Sequence, residues 1–160
     1  MIRRLYSVAC NLVKRKKKRC IARLLSRHPE LKISDESLIV FTAIWHRPNL
    51  LPWLLKHGVS ADCRLAAGDN TPLMQAAADG DVSMTKILLE FGADPNAVNA
   101  RGETPLGFSV VWNHPEIVQL LIDAGADVNS TSDFGTGQTL LNSAEISGYT
   151  EVARILRRGS

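Results

Sequence analysis

The side chains most able to do chemistry in this sequence are few and scattered. Cys10, Cys20 and Cys63, with His28, His46, His57 and His114, are the candidate thiolate and imidazole ligands. A structural zinc site draws on closely spaced pairs of such residues. No pair here has that spacing, so no metal is expected. The Asp and His residues are spread along the chain, and a nucleophile with its base would have to be assembled from distant segments. Gly135-Thr136-Gly137 is too short to cradle a phosphate and lacks a following Lys-Ser/Thr pair. No cofactor, small-molecule substrate or catalysis is expected. The odd number of cysteines reads as reduced thiols in a cytoplasmic protein.

Charge is more informative than nucleophiles. The 160 residues carry a formal charge of +3, but the balance is uneven. Residues 1–30 hold ten Lys/Arg and one acid, Glu30, whereas residues 35–153 hold fifteen acids and five Lys/Arg. A basic segment therefore precedes an acidic body, and an asymmetry of this kind bears on partners rather than on fold. The run Lys14-Arg15-Lys16-Lys17-Lys18-Arg19 fits three roles: a solvated helix end, a nuclear-localisation or nucleic-acid patch, or a contact with an acidic partner or membrane surface. No aromatic residue interleaves it, so base stacking has no support there. The longest uncharged apolar run, Leu38–Trp45, is far below the roughly 18 residues of a membrane span. The apolar stretch ending at Val8-Ala9-Cys10 is too short for a signal peptide.

The elements that position these groups follow from a repeat. Thr71-Pro72-Leu73 recurs as Thr104-Pro105-Leu106, and Gly92-Ala93-Asp94 as Gly125-Ala126-Asp127, both 33 residues later. Ile87-Leu88-Leu89 matches Leu120-Leu121-Ile122, and Asn96-Ala97 matches Asn129-Ser130. Thr139-Leu140-Leu141 opens a further unit 35 residues on, with the two extra residues in the loop Phe134–Gln138. Ser37-Leu38-Ile39 opens an upstream unit that reaches Trp53-Leu54-Leu55 and Gly58. Each unit reads as two short helices. Thr71, Thr104 and Thr139 suit the N-cap of the first helix, and Pro72 and Pro105 suit its N1 position. Pro48 and Pro115 suit the first turn of the second, and Gly58, Gly92 and Gly125 its end. Asn113 stands where Gly80 and Gly148 stand, and Asn is the next most tolerant of a left-handed backbone.

This pattern resembles the ankyrin repeat, a helix–turn–helix followed by a projecting β-turn. The resemblance covers about 35–160 and implies an all-α solenoid of about four repeats, near 37–70, 71–103, 104–138 and 139–160. The family usually has His after Thr-Pro-Leu, where this chain has Val40, Met74, Gly107 and Asn142. Gly107 within a helix costs about 1 kcal/mol relative to Ala. Residues 1–34 form a separate segment. Ile2, Leu5, Ala9, Leu12 and Val13, then Ile21, Leu24 and Leu25, follow helical spacing and predict an amphipathic N-terminal helical cap on the first repeat. At the other end, Arg157 falls where Leu55, Leu89 and Ile122 are apolar, which reads as a polar C-terminal cap.

The resemblance also implies where a partner binds, because family members line a concave surface with inner helices and β-turn tips. The equivalent inner-helix positions are Trp45, Asp79, Trp112 and Ser147, and the next ridge is Arg47, Asp81, His114 and Tyr149. Trp45 and Trp112 are either anchors or packed against neighbours, whereas Trp53 aligns with Ile87 and Leu120 and is core. Tyr149 is a further candidate anchor. The tips carry Arg64, Leu65, Asn99, Arg101, Glu103, Asp133 and Phe134; Phe134 is either a contact residue or a lid on its own repeat. Asp69, Asp79 and Asp81 are either ordinary solvated charges or steering groups for a basic partner. The expected function is a monomeric protein-binding module that occludes a basic partner protein. In bacteria such short proteins resemble immunity proteins or antitoxins. The rival expectation is an adaptor that binds nucleic acid or an anionic membrane through the basic N-terminus.

Overall fold

The computed structural model describes residues 51–56, 60–64, 68–130 and 138–159. The N-terminal helical cap, the basic run Lys14–Arg19 and the first helix of the first repeat lie outside the described residues. Among those described there are seven helices and no strand: α1 (Leu51–Lys56), α2 (Pro72–Asp79), α3 (Val82–Glu90), α4 (Pro105–Val111), α5 (Pro115–Asp123), α6 (Leu140–Ile146) and α7 (Thr150–Gly159). They pair as α2/α3, α4/α5 and α6/α7, with α1 as the second helix of the preceding unit. The inner helices stack in the order α2, α4, α6, and the outer helices in the order α1, α3, α5, α7. No described helix is long and apolar enough to cross a membrane.

Local chemistry sets the start of each inner helix. The hydroxyls of Thr71, Thr104 and Thr139 accept from the backbone N–H groups of Met74 (3.3 Å), Gly107 (3.1 Å) and Asn142 (3.2 Å). Each bond satisfies one of the orphan donors of a first turn. Gly107 is therefore the third residue of α4, where its N–H serves the cap. The turn from inner to outer helix needs one left-handed residue. Gly80 supplies it with φ 72° and Asn113 with φ 57°, so the Asn does take the conformation its position requires.

Packing then fuses the units into one core. The Leu of each Thr-Pro-Leu block, Leu73 and Leu106, is buried between neighbouring inner helices. On the outer helices, Met84, Ile117 and Val152 share one buried position, and Leu88, Leu121 and Leu156 another. A side chain of this size contributes about 1.5–3 kcal/mol on full burial. Trp53 is half-buried against the same core, in keeping with its alignment. Two fully buried hydroxyls of the core are satisfied. Thr85 Oγ1 donates to the Asp81 carbonyl (2.9 Å), and Ser109 Oγ to the Leu106 carbonyl (2.8 Å).

The Gly-Ala-Asp blocks recur because they join one unit to the next. Ala93 and Ala126 are buried. Asp94 Oδ1 accepts from Asn96 N–H (2.8 Å), and Asp127 Oδ1 from Asn129 N–H (2.9 Å), which closes a tight turn in each block. Between units, Asp62 Oδ1 accepts from Asp94 N–H (3.0 Å), and Asn96 Oδ1 accepts from Asp127 N–H (2.8 Å). Asn96 Nδ2 also donates to the Gly125 carbonyl (2.9 Å).

The last helical pair presents a polar face. Glu145 stands where Ala77 and Val110 are buried, and Arg157 stands where Leu89 and Ile122 are half-buried. Both charged residues are exposed, and Arg157 Nη2 donates to Glu145 Oε1 at 2.6 Å. An ion pair thus occupies the surface that earlier units cover with apolar neighbours.

Candidate functional site

The inner helices all end at the same edge of the stack, and the residues there are those singled out by the alignment. Asp79 is the last residue of α2, Trp112 caps α4, and Ser147 caps α6. All three are exposed, and the Trp112 side chain is 60% accessible. One residue earlier in each unit stand Ala78 and Val111, both half-buried, and Ile146, which is 69% exposed. Trp112 and Ile146 therefore place two large apolar side chains in water on the ends of neighbouring helices. Exposed apolar residues are ordinary singly, and it is contiguous exposed patches that characterise interaction surfaces. Ile146 was absent from the candidates read from sequence. Its signal was available, since it aligns with Ala78 and Val111 and is the largest of the three.

The second ridge is less free. Asp81 is half-buried, and its Oδ1 accepts the Met84 N–H at 2.9 Å, capping α3. His114 holds the equivalent position at α5 but makes no cap bond. Its Nε2 lies 3.2 Å from the Ala78 carbonyl, which can only accept, so that nitrogen carries the proton. The ring rests on Gly80, where an added Cβ would come within 2.7 Å of Cε1. Both side chains thus have structural duties, Asp81 within its unit and His114 at the joint with the unit before it. Tyr149 is half-buried and lines a groove of about 200 Å³ between α6 and α7, beside Glu145, Ala153 and Arg157. It faces the polar end of the array.

The tips are braced rather than loose. Asn99, 6% exposed, accepts at Oδ1 from the N–H groups of Arg101 and Glu103, both at 2.9 Å. Its amide donates to Glu103 Oε2 and to Asn70 Oδ1, both at 2.6 Å. Glu103 is 3% exposed, so Asn99 and Glu103 are turn-building groups although they lie on a tip. Arg101 is exposed, with Nε 3.5 Å from Glu103 Oε2. Arg64 Nη1 ties two tips together by donating to the carbonyls of Val98 (2.6 Å) and Asp69 (3.1 Å). Trp45, Arg47, Leu65, Asp133 and Phe134 lie outside the described residues.

Charge divides the two sides of the stack. Every described Lys and Arg lies on a tip or an outer helix: Lys56, Arg64, Lys86, Arg101, Arg154, Arg157 and Arg158. Among the described residues the inner edge carries Asp79 and Asp81 and no lysine or arginine. On the outer side, Lys86 meets Glu116 at 3.3 Å, and Arg154 Nε donates to Glu151 at 3.0 Å. The Arg154 hydrogen bond holds the Glu151 carboxyl below the usual glutamate range, and the same bond raises Arg154. Among the described residues no three His, Cys, Asp or Glu side chains are grouped to hold a metal ion.

Stacked helical pairs with a shared core, braced tips and an open inner edge define a repeat solenoid of the ankyrin type. The family model described as "Ankyrin repeats (3 copies)" matches three overlapping stretches, residues 8–99, 39–132 and 101–160. The chain belongs to the ankyrin-repeat family and is a protein–protein interaction module. A probable E3 ubiquitin-protein ligase of Oryza sativa subsp. japonica is 36% identical over 89 residues, which are 56% of this chain and 18% of that protein. The ARF GTPase-activating protein Git of Drosophila melanogaster is 35% identical over 98 residues, 53% of this chain and 13% of that protein. A putative ankyrin repeat protein of Fowlpox virus (strain NVSL) is 34% identical over 116 residues, 70% of this chain and 26% of that protein. The matches thus span about a quarter or less of the length of these relatives.

Proposed function

We propose that the chain binds a partner protein across the inner edge of its stack and acts by covering that partner's surface, with Trp112 as the central anchor. The observation that carries this reading is the exposed indole of Trp112 beside the exposed Ile146. Tryptophan is over-represented among the few residues that dominate binding energy. The partner is basic: the inner edge offers carboxylates and no lysine or arginine among the described residues, and complementary charge speeds encounter and rejects wrong partners. Asp81, His114 and Tyr149 contribute shape at the edge, and Arg101 a charged rim at the tip. Occlusion suits a surface that supplies no reacting group. No catalytic role is assigned to it.

The test is capture of proteins from native lysate on immobilised chain, with wild type beside Trp112→Ala/Ile146→Ala. Circular dichroism first establishes that the variant keeps its helix content. A protein retained by wild type and lost from the variant supports the reading, with an affinity loss of about thirtyfold or more expected for a hot-spot tryptophan. A capture profile identical for the two proteins sinks it.

A further inference from the structure

Asp79 and Trp112 hold the same place in successive units, on inner helices that pack directly against each other. Helices in contact have axes about 8–10 Å apart, so one planar cation can lie between the two side chains. Asp79 is held ready for it. Gln75 Nε2 donates to both carboxylate oxygens, at 3.0 and 3.1 Å, which fixes the carboxylate plane. That nitrogen sits between the two oxygens, where a two-pronged donor would dock; the outer lone pairs remain, so capacity is left for one further N–H. No described cation pairs with Asp79, and the other acid of this edge, Asp81, is committed to the α3 cap.

We infer that Asp79 and Trp112 form a subsite for an arginine side chain of the partner, the guanidinium lying over the indole face and donating one N–H to an outer lone pair of the Asp79 carboxylate. The inference rests on the inner-edge reading above and names the chemistry at its centre. Indole is the best aromatic face for a cation. Guanidinium suits the pair better than ammonium because it is planar, more weakly hydrated and able to stack on the indole while an in-plane N–H reaches the carboxylate. An anionic side chain is repelled by Asp79. A purely apolar plug over Trp112 would strip water from that carboxylate without replacing it.

The test uses the full chain, 15N-labelled, titrated with blocked tetra-arginine and blocked tetra-lysine peptides. The readout is the indole N–H resonance of Trp112, assigned by its disappearance in Trp112→Phe. Tetra-arginine is expected to shift that resonance and to bind about two- to fivefold tighter than tetra-lysine. Asp79→Asn, nearly isosteric and exposed, should weaken tetra-arginine and erase the preference; Trp112→Leu should do the same. Equal binding of the two peptides, insensitivity to both variants, or an unmoved Trp112 resonance overturns the subsite. The two readings fail separately. A captured partner lost on Trp112→Ala but unaffected by Asp79→Asn leaves the inner-edge interface standing and removes the arginine subsite.

Discussion

The imidazole of His114 lies flat enough on Gly80 that a single added carbon there would meet it at 2.7 Å, while its Nε2 bonds the Ala78 carbonyl of the same unit. One unit thus grips the turn of the unit before it. Gly148 has almost the same backbone, φ 74° against 72°, but nothing lies within 4 Å of its would-be Cβ. Gly148→Ala should cost about 1–2 kcal/mol, the strain of a left-handed alanine. Gly80→Ala should cost about 1 kcal/mol more, because the ring must leave and its hydrogen bond is lost. In a His114→Ala background that excess should vanish. Urea unfolding of the four-member cycle measures it; equal costs in both backgrounds would show that the grip is energetically idle.

Asn99 is buried and bonded at both ends of its amide, and Glu103 is buried beside it. Asn99→Ala should destabilise by about 2–3 kcal/mol, since it strands buried polar groups as well as deleting bonds. Arg101→Ala, which removes an exposed partner of Glu103, should cost under about 1 kcal/mol. Thermal unfolding of the two variants checks the order; the reverse order would mean that the ion pair, not the amide, organises the tip.

Trp112 and Leu121 make an opposite pair of expectations. Leu121 is fully buried between outer helices, and Leu121→Ala should cost about 2–5 kcal/mol. Trp112→Ala should leave stability within about 0.5 kcal/mol, as exposed sites do. A large stability loss at Trp112 would make the indole a packing residue and would undercut its role as an anchor.

The Glu145–Arg157 pair separates a closed end from an adhesive one. Replacing either alone should cost less than about 1 kcal/mol, because the pair is exposed. Glu145→Leu/Arg157→Leu turns the end face apolar, in the manner of Val110 and Ile122, and should produce concentration-dependent self-association in sedimentation velocity. A double variant that sediments like wild type at all concentrations would show that the pair does not guard this face.

Glu151 tests the electrostatics of α7. Its carboxyl is held below the ordinary glutamate range by the hydrogen bond from Arg154, so its favourable interaction is complete above that range. The interaction is lost as pH falls from about 4.3, the ordinary glutamate value, through the lower folded-state value. Carboxyl 13C titration should therefore place Glu151 below the ordinary glutamate value, and Arg154→Ala should bring it back. Both side chains are exposed and the stability change should be small.

The sequence by itself determined the unit. A 33-residue spacing, threonine caps, N1 prolines and left-handed positions at Gly80 and Asn113 are local requirements, so they are written in residue types and can be read without coordinates. The polar end at Arg157 was legible for the same reason, by comparison with Leu89 and Ile122 in register. The candidate site was legible only as positions. Alignment placed Asp79, Trp112, Asp81, His114 and Tyr149 on two ridges but could not say what each side chain was already doing. That depends on contacts made when the helices and tips pack, within a unit or across to the next. Asp81 caps α3, His114 is turned onto Gly80, Tyr149 faces the terminal groove, and Asn99 and Glu103 are folded into their tip. Trp112, Asp79 and Ile146 were left facing water. The tertiary structure decided this division, because a hydrogen bond or a steric contact, within a unit or between units, fixes a side chain's direction, and residue type and spacing alone do not encode it.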